Sequence, residues 1–283
     1  MSTIKDLQAT LADFQTAQFV TTVLRDISAT KLQSLRLAFE QNATYYDELA
    51  RLLRMVERYA DSVKIKTVTE KEKKMRETVY LAVTSNKRFY GVLNQDVMNH
   101  CSELLKKDVT AKAIVIGQTG LQYLELSPLA DRFTGLEFEE DELTVSAERE
   151  LLAKMAPYRQ IKVVHPHFVN SFRQEPSVSE LAYTPKETDD DEPEAQIDYL
   201  FEPEIPKLHE FFATEIRAVL LRRVMLETRL AWTGARLMKM QRARERSRSL
   251  VKEQRRLIHK EVTTMQSMRL LESFAAFRKD LLS

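Results

Sequence analysis

The chain has 283 residues, and its 43 basic and 42 acidic side chains nearly cancel, so its overall charge gives no bulk affinity for nucleic acid or a membrane surface. It contains only 5 glycines and 8 prolines, far fewer than a globular chain of this length normally has, and long helices are therefore expected. A single cysteine excludes an internal disulfide, and no apolar run reaches the length of a membrane span. These features predict a soluble or peripheral protein of a reducing compartment.

Residues 1–62 are predicted to be helical. Apolar residues recur at helical spacing, as in Leu7, Leu11 and Phe14, and strong helix formers fill the positions between them. This pattern predicts one or two long amphipathic helices.

Residues 75–186 alternate between short β-branched runs and helical patterns. Strands are predicted at Val79–Val83, Ala113–Ile116 and Ile161–Val164, and a turn and a helical pattern follow each of the first two. This alternation is typical of a small parallel α/β sheet with right-handed crossovers. The next segment, residues 187–205, has acidic side chains packed around prolines and is predicted to be a solvated loop.

Residues 206–283 are predicted to form one very long helix, with Gly234 as the only breaker after Pro206. At 1.5 Å per residue its length is about 110 Å, which exceeds the size of any globule that this chain can form. We expect the N-terminal helix to cover its apolar stripe in an antiparallel coiled coil. A long helical bundle is the alternative.

Three candidate chemical sites in the middle of the chain have simpler structural interpretations. Gly117-Gln118-Thr119-Gly120 lies between a predicted strand and helix but lacks the third glycine or the Gly-Lys-Ser/Thr of a nucleotide site, which favours a plain turn. His165 and His167 have no third ligand at motif spacing, so we interpret them as surface histidines rather than metal ligands. Cys101 lies on an apolar helix stripe and is predicted to be a packed, inert thiol.

The strongest charge feature lies within the long C-terminal helix. Residues 236–260, which we call the basic segment, carry ten basic and two acidic side chains, a net charge of +8. Such a segment can bind acidic protein surfaces, phosphates or lipid head groups, or it can be a solvated helix face. Helical rows of basic residues are usually balanced by glutamates one turn away, and here they are not.

Motifs along nearly the whole chain resemble the gamma subunit of F-type ATP synthases. They run in the family's order: Gln18 to Leu24 with Ile27 to Leu32, Val83 to Asn86 with Gly91 to Asn94, Val115 to Gly117, Asp198 to Pro203, Leu220, Leu221 and Glu227, and Ala235 to Met240 with Ala243. The chain departs from the family pattern at 88–91 and 244–247, where Arg88-Phe89-Tyr90-Gly91 and Arg244-Glu245-Arg246-Ser247 stand. The resemblance therefore indicates a divergent member.

The resemblance implies a fold and a role. The two terminal helices would form an antiparallel shaft around a Rossmann-like domain, and the shaft would couple ion-driven rotation to ATP synthesis or hydrolysis on a ring of alpha and beta subunits. The subunit itself would be non-catalytic, without cofactor or metal. The resemblance further implies an epsilon subunit and a ring of c subunits as partners, no nucleic acid, and attachment to the membrane only through the c ring, on the cytoplasmic side in bacteria.

The resemblance also implies which residues contact partners and couple rotation to catalysis. These are Gln18, Thr21, Leu24, Lys31, Arg236, Met238, Lys239, Met240 and Arg242. Arg236 would occupy the position of an arginine that contacts the moving part of a beta subunit.

Two functions from other classes also fit the sequence. A coiled-coil adaptor with an α/β head would not associate stably with ATP synthase subunits. A nucleic-acid-binding rod would bind through the basic segment, with an affinity that falls steeply as salt is raised.

Overall fold

A computed structural model describes residues 4–62, 76–87, 89–125, 128–138, 144–182 and 202–280. The chain divides into two compact units. Unit 1 comprises Met1–Ala29 and Arg236–Ser283, and unit 2 comprises Thr30–Ala235. Most of the acidic loop predicted at 187–205 lies outside the described residues.

Ten elements follow one another along the described chain, apart from a short 3-10 turn. They are α1 (Ile4–Ser62), β1 (Arg76–Val83), α2 (Leu93–Lys107), β2 (Lys112–Ile116), α3 (Gln118–Leu124), β3 (Phe133–Leu136), α4 (Val145–Met155), β4 (Tyr158–Phe168), β5 (Gln174–Glu180) and α5 (Ile205–Asp280). The N-terminal segment is thus one helix of 59 residues, and the predicted long C-terminal helix is confirmed at 76 residues.

The two long helices pack antiparallel within unit 2. Leu49 and Leu53 of α1 form a buried cluster with Ile216 and Val219 of α5. Further along α1, Val56 and Ala60 pack on Ile205, at the start of α5. Positions that increase along α1 therefore meet positions that decrease along α5, as the amphipathic pattern predicts.

The α5 segment of unit 1 has the burial pattern of a coiled-coil seam. Met240, Ser247, Val251 and Gln254 are buried, at separations of seven, four and three residues. The Gln254 side-chain amide donates a 3.0 Å hydrogen bond to the Leu7 carbonyl oxygen of α1. Heptad spacing of this kind keeps one side of a helix against its partner.

The sheet of unit 2 is mixed, in the order β3-β2-β1-β4-β5. The three predicted strands are confirmed as β1, β2 and β4, which run parallel as predicted; the sheet also contains two strands that were not predicted. β3 adds a fourth parallel strand, and β5 pairs antiparallel with β4 at the other edge. A β4–β5 hairpin needs no crossover helix, so this reversal is compatible with the short connection between the two strands.

Helices cover both faces of the sheet. Alternate β1 residues point to opposite faces: Tyr80 and Ala82 pack with Met98 and Leu105 of α2. On the other face Val79, Leu81 and Val83 join one cluster with α4 and α5 residues, among them Leu151, Met155, Leu221 and Val224. The α5 segment of unit 2 is therefore part of the α/β core as well as the partner of α1.

Candidate partner-binding surface on the long helices

The basic segment presents its charge on the outside of unit 1. Because the seam takes Met240, Ser247, Val251 and Gln254, most charged side chains point elsewhere around the helix. The basic residues that are exposed are Lys239, Arg242, Arg246, Arg248, Lys252, Arg255, Arg256 and Lys260, while Arg236 and Arg244 are half-buried. The segment thus forms an exposed basic rod surface.

This positive charge is not neutralised within the described part of the chain. Apart from Arg236, the basic side chains of the segment form no ion pair with any residue that the structure describes. Glu245, one of the two acidic residues in the segment, accepts a hydrogen bond from the Gln241 amide. Uncompensated positive charge along a rigid helix favours binding to a surface of opposite charge.

Beyond the basic segment, α5 exposes a run of large apolar side chains. Met268 and Leu270 are each 59% exposed, and Leu271 and Phe274 are each 69% exposed. Scattered apolar residues are normal on protein surfaces, but a contiguous set like this one usually marks a contact with another molecule.

A second exposed apolar set lies on α1 in the same unit. It consists of Phe19, Val20, Val23 and Ile27, of which Phe19 is 70% exposed. Val23 lies four residues after Phe19, three after Val20 and four before Ile27, so the set shares one side of the helix. Unit 1 therefore combines a basic surface with apolar surfaces on both of its helix segments.

The predicted contact residues of α1 lie beside this exposed apolar set. Gln18, Thr21 and Leu24 are half-buried, and the Thr21 hydroxyl donates to the carbonyl oxygens of Ala17 and Gln18 instead of facing solvent. Lys31 is exposed and belongs to unit 2. The residues to which the resemblance pointed are therefore not the most exposed side chains of this stretch of α1.

The predicted contact residues of α5 differ in exposure. Lys239 and Arg242 are exposed, and Arg236 and Met238 are half-buried. Met240 is only 4% exposed and lies in the seam, so its side chain cannot be a partner contact as expected. A methionine at a heptad position serves packing between helices.

Of the two histidines of β4, His165 departs from the prediction of surface residues, whereas the His167 side chain is 42% exposed. His165 is fully buried, its Nε2 lies 2.8 Å from the Ser179 hydroxyl of β5, and burial lowers the pKa of its imidazole. His167 pairs through Nδ1 with the Glu227 carboxylate of α5. Within the described ranges no group of three potential metal ligands comes together.

The other two interpretations of the middle segment are confirmed. Gly117 has φ +95° and forms the turn from β2 into α3, a helix of seven residues. Cys101 is fully buried in the α2 cluster, and burial raises the pKa of its thiol to about 12. The N–H groups of Gln118 and Gly120 donate to the side chains of Asn86 and Thr84, which hold the Gly117 turn in place.

One buried ion pair escaped sequence reasoning. Glu148 of α4 accepts a 2.9 Å hydrogen bond from Nε of Arg222 on α5, and the Glu148 side chain is 9% exposed. The two residues lie 74 positions apart, so no local spacing could reveal their contact. The same holds for the His167–Glu227 pair.

Comparison with known proteins gives a consistent result. A family model described as ATP synthase matches residues 3–261. The ATP synthase gamma chain of Psychrobacter sp. is 22% identical over 268 residues, covering 89% of this chain and 90% of that protein. The gamma chain of Christiangramia forsetii is 23% identical over 258 residues, covering 88% and 89%.

Two solved structures share the fold. One is the central stalk and c-ring of the mitochondrial ATP synthase of Tetrahymena thermophila, where a chain matches with a TM-score of 0.59 at 16% identity, over 79% of this chain and 99% of that one. The other is the mitochondrial ATP synthase of Euglena gracilis, with a TM-score of 0.52 at 12% identity, over 88% and 94%. None of the described helices of this chain is long and apolar enough to cross a membrane.

Proposed function

The chain belongs to the ATP synthase gamma-chain family, and from this membership we propose that it is the central-stalk rotor subunit of a rotary ATP synthase. Its helix pair would turn inside a ring of alpha and beta subunits and so couple rotation to ATP synthesis or hydrolysis. The chain itself would contribute shape and charge rather than catalytic groups.

The observation that carries the proposal is the surface of unit 1. It combines a basic segment that is unpaired in the described chain, Arg236 aside, with exposed apolar side chains on both α1 and α5. A shaft that turns inside a ring of subunits needs surfaces that can bind one subunit, release it and bind the next. Apolar contacts and exposed charges are suited to this because neither requires one fixed geometry.

Coupling then depends on differential contact. A helix pair of irregular surface presents different side chains to each catalytic subunit at each angle. A subunit that binds this surface better in its closed state than in its open state is shifted towards closure when that surface faces it. Rotation thereby changes the affinity of each catalytic subunit for nucleotide, and nucleotide binding in turn favours particular angles of the shaft.

We assign the contacts to the exposed members of the predicted set and to their apolar neighbours. On α5 these are Lys239 and Arg242, with Arg236 and Met238 at the edge of the seam. On α1 they are Phe19, Val20, Val23 and Ile27, beside Gln18, Thr21 and Leu24. The exposed Lys31 remains part of the proposed set, and the buried Met240 does not.

The further partners follow from the family. We propose that the chain associates with the c-subunit ring and an epsilon subunit, and that it is peripheral to the membrane on its cytoplasmic side. The absence of a membrane-crossing helix in the described residues is compatible with attachment through other subunits. Nucleic acid is not among the proposed partners.

The proposal is tested by assembly with purified alpha and beta subunits of the same complex. The chain should co-elute with them and raise their ATPase activity. Reversing two exposed charges one turn apart, Lys252→Glu with Arg256→Glu, should weaken assembly, whereas Lys106→Glu with Lys107→Glu, exposed on α2, should not. No co-elution, combined with salt-sensitive binding to duplex DNA, would instead support the nucleic-acid rod.

A further inference from the structure

A cavity of about 340 Å³ lies among three helices of unit 2. Its walls come from Ala38 and Asn42 of α1, from Glu148 of α4 and from residues of α5 between Leu221 and Arg229. All of these residues are inside one compact unit. The cavity is within the size range of sites that take small organic ligands.

The polar groups in this cavity are incompletely satisfied. Arg222 uses only its Nε to bind Glu148, which leaves both terminal nitrogens without a partner among the described residues. The Asn42 Oδ1 atom is buried and also has no partner there. Rotation of that amide would present its NH₂ group to the cavity instead. Buried polar atoms normally find partners, so the Asn42 amide indicates a missing ligand or ordered water. The terminal nitrogens of Arg222 belong to a side chain that is 44% exposed, and they are open to solvent or to a ligand.

The charge of the site selects the kind of ligand. Arg222 is the cation on which the site depends: its Nε is paired with the Glu148 carboxylate, and Glu215 also interacts with it electrostatically. The Arg222 side chain is 44% exposed and that of Glu148 only 9%, so the guanidinium lies nearer to solvent. A guanidinium with two available N–H donors is the geometry that binds a carboxylate or phosphate.

The remaining walls are apolar. Leu221 and, one turn later, Met225 and Leu226 line the cavity from α5, and Ala38 lines it from α1. We propose that this cavity is a binding site for a small amphiphilic anion, with its head on Arg222 and Asn42 and its apolar body against these side chains. The bound molecule would connect α1, α4 and α5. The proposal does not depend on whether the chain assembles with other subunits.

The test uses the full chain with methyl-labelled methionine, followed by NMR. Met225 lines the cavity and is 8% exposed, and a Met225→Leu variant assigns its signal. Octanoate and octyl phosphate should each shift this signal saturably, whereas neutral octanol should not. Met268, 59% exposed on α5 in unit 1, reports non-specific adsorption of the chains and should not move in the same range.

Two variants give opposite expected results. Arg222→Gln should weaken octanoate binding at least about tenfold, because a charge-assisted hydrogen bond is lost. Glu148→Gln should tighten it at least about threefold, because a negative charge next to the anion is removed and the guanidinium is released. If these changes acted only by disturbing the structure, binding would weaken in both variants. Arg222→Gln leaves the Glu148 carboxylate unpaired, and the double variant Arg222→Gln with Glu148→Gln removes that charge as well.

The proposal is overturned if octanol shifts Met225 as octanoate does, or if Met268 moves with Met225. It is also overturned if Glu148→Gln weakens binding as Arg222→Gln does. Retained octanoate binding in a folded Arg222→Gln chain would contradict it as well.

Discussion

Gly117 is the residue on which the turn from β2 into α3 depends. Its φ is +95°, and a Cβ at this position would lie 2.0 Å from the Thr84 carbonyl oxygen, an atom of the rigid β1 end. We predict that Gly117→Ala lowers the free energy of unfolding by about 2 to 4 kcal/mol, since strain and overpacking add. Urea unfolding followed by the fluorescence of Trp232, the single tryptophan, measures it.

Gly91 provides the matched control. Its φ is also positive, at +69°, but a Cβ there would meet nothing within 4 Å. Gly91→Ala should therefore lower the free energy of unfolding only by the backbone strain, about 1 kcal/mol. Equal losses for the two variants would show that the contact with Thr84 is unimportant.

The Cys101 thiol should not react with alkylating reagents in the folded chain. Burial raises the pKa of its thiol to about 12, so at pH 8 almost none of the folded protein carries a thiolate. The unfolded chain ionises first as pH rises through the ordinary thiol range, so this group lowers stability progressively from there towards pH 12. We predict no alkylation by iodoacetamide at pH 8 and complete alkylation in urea, measured by mass spectrometry. Rapid modification without denaturant would contradict the buried position.

Arg236 is the residue at which the family resemblance makes its sharpest functional prediction. Arg236→Ala should lower ATP synthesis by the assembled complex, because a charged, planar fork on a rigid helix can bind a carboxylate at one angle and release it at another. Arg236→Lys should not restore the full rate. Since Arg236 is half-buried, thermal unfolding of each variant must be compared with that of the unmodified chain.

Single substitutions of the exposed neighbours of Arg236, which belong to the same proposed contact set, show whether Arg236 has the larger role. Lys239→Ala and Arg242→Ala remove one charge each without opening the seam. A normal synthesis rate in Arg236→Ala, together with a loss in either neighbour, would move the coupling role to the rest of the basic segment.

At the scale of elements, the packing of α1 against α5 within unit 2 can be tested with two adjacent leucines of α1. Leu53 is 2% exposed and packs in the cluster with Ile216 and Val219, whereas Leu52 is 42% exposed. Leu53→Ala should lower the free energy of unfolding by about 2 to 5 kcal/mol. Leu52→Ala should lower it by less than about 1 kcal/mol. Urea unfolding monitored by circular dichroism checks both. Similar costs would indicate a different helix register.

Sequence patterns predicted the elements that carry a regular apolar signal and missed those that do not. The long helices and the strands β1, β2 and β4 followed from periodicity and β-branched runs. β3 is only four residues long and includes Gly135, where a Cβ would lie 2.4 Å from Leu121. β5 reads QEPSVSE, a polar edge strand with a proline, and such strands lack an apolar signal.

The sequence could predict those properties of the candidate site that depend on a single segment of the chain. The charge of 236–260 can be counted in the sequence, and its exposure follows from the heptad spacing of the seam. Met240 could not be assigned from the motif alone, because a motif does not indicate which side of a helix a residue occupies. His165 and Glu148 required the tertiary fold, since their partners Ser179 and Arg222 lie on other elements.

At the scale of the whole molecule, charge is separated rather than absent. The net charge of the chain is +1, yet its basic segment alone carries +8. The excess positive charge therefore lies on one stretch of α5 in unit 1. This distribution suits a subunit that binds a surface of opposite charge along one part of its length.

The central claim is that this chain rotates against a ring of alpha and beta subunits, and single-molecule rotation tests it most directly. Val109, 79% exposed between α2 and β2, can be changed to cysteine and carry a bead, because Cys101 is buried. With the ring fixed to a surface, the bead should turn in one direction when ATP is added, and stop when ATP is removed. A bead that only fluctuates, at the same amplitude with and without ATP, on rings that hydrolyse ATP, would contradict the account.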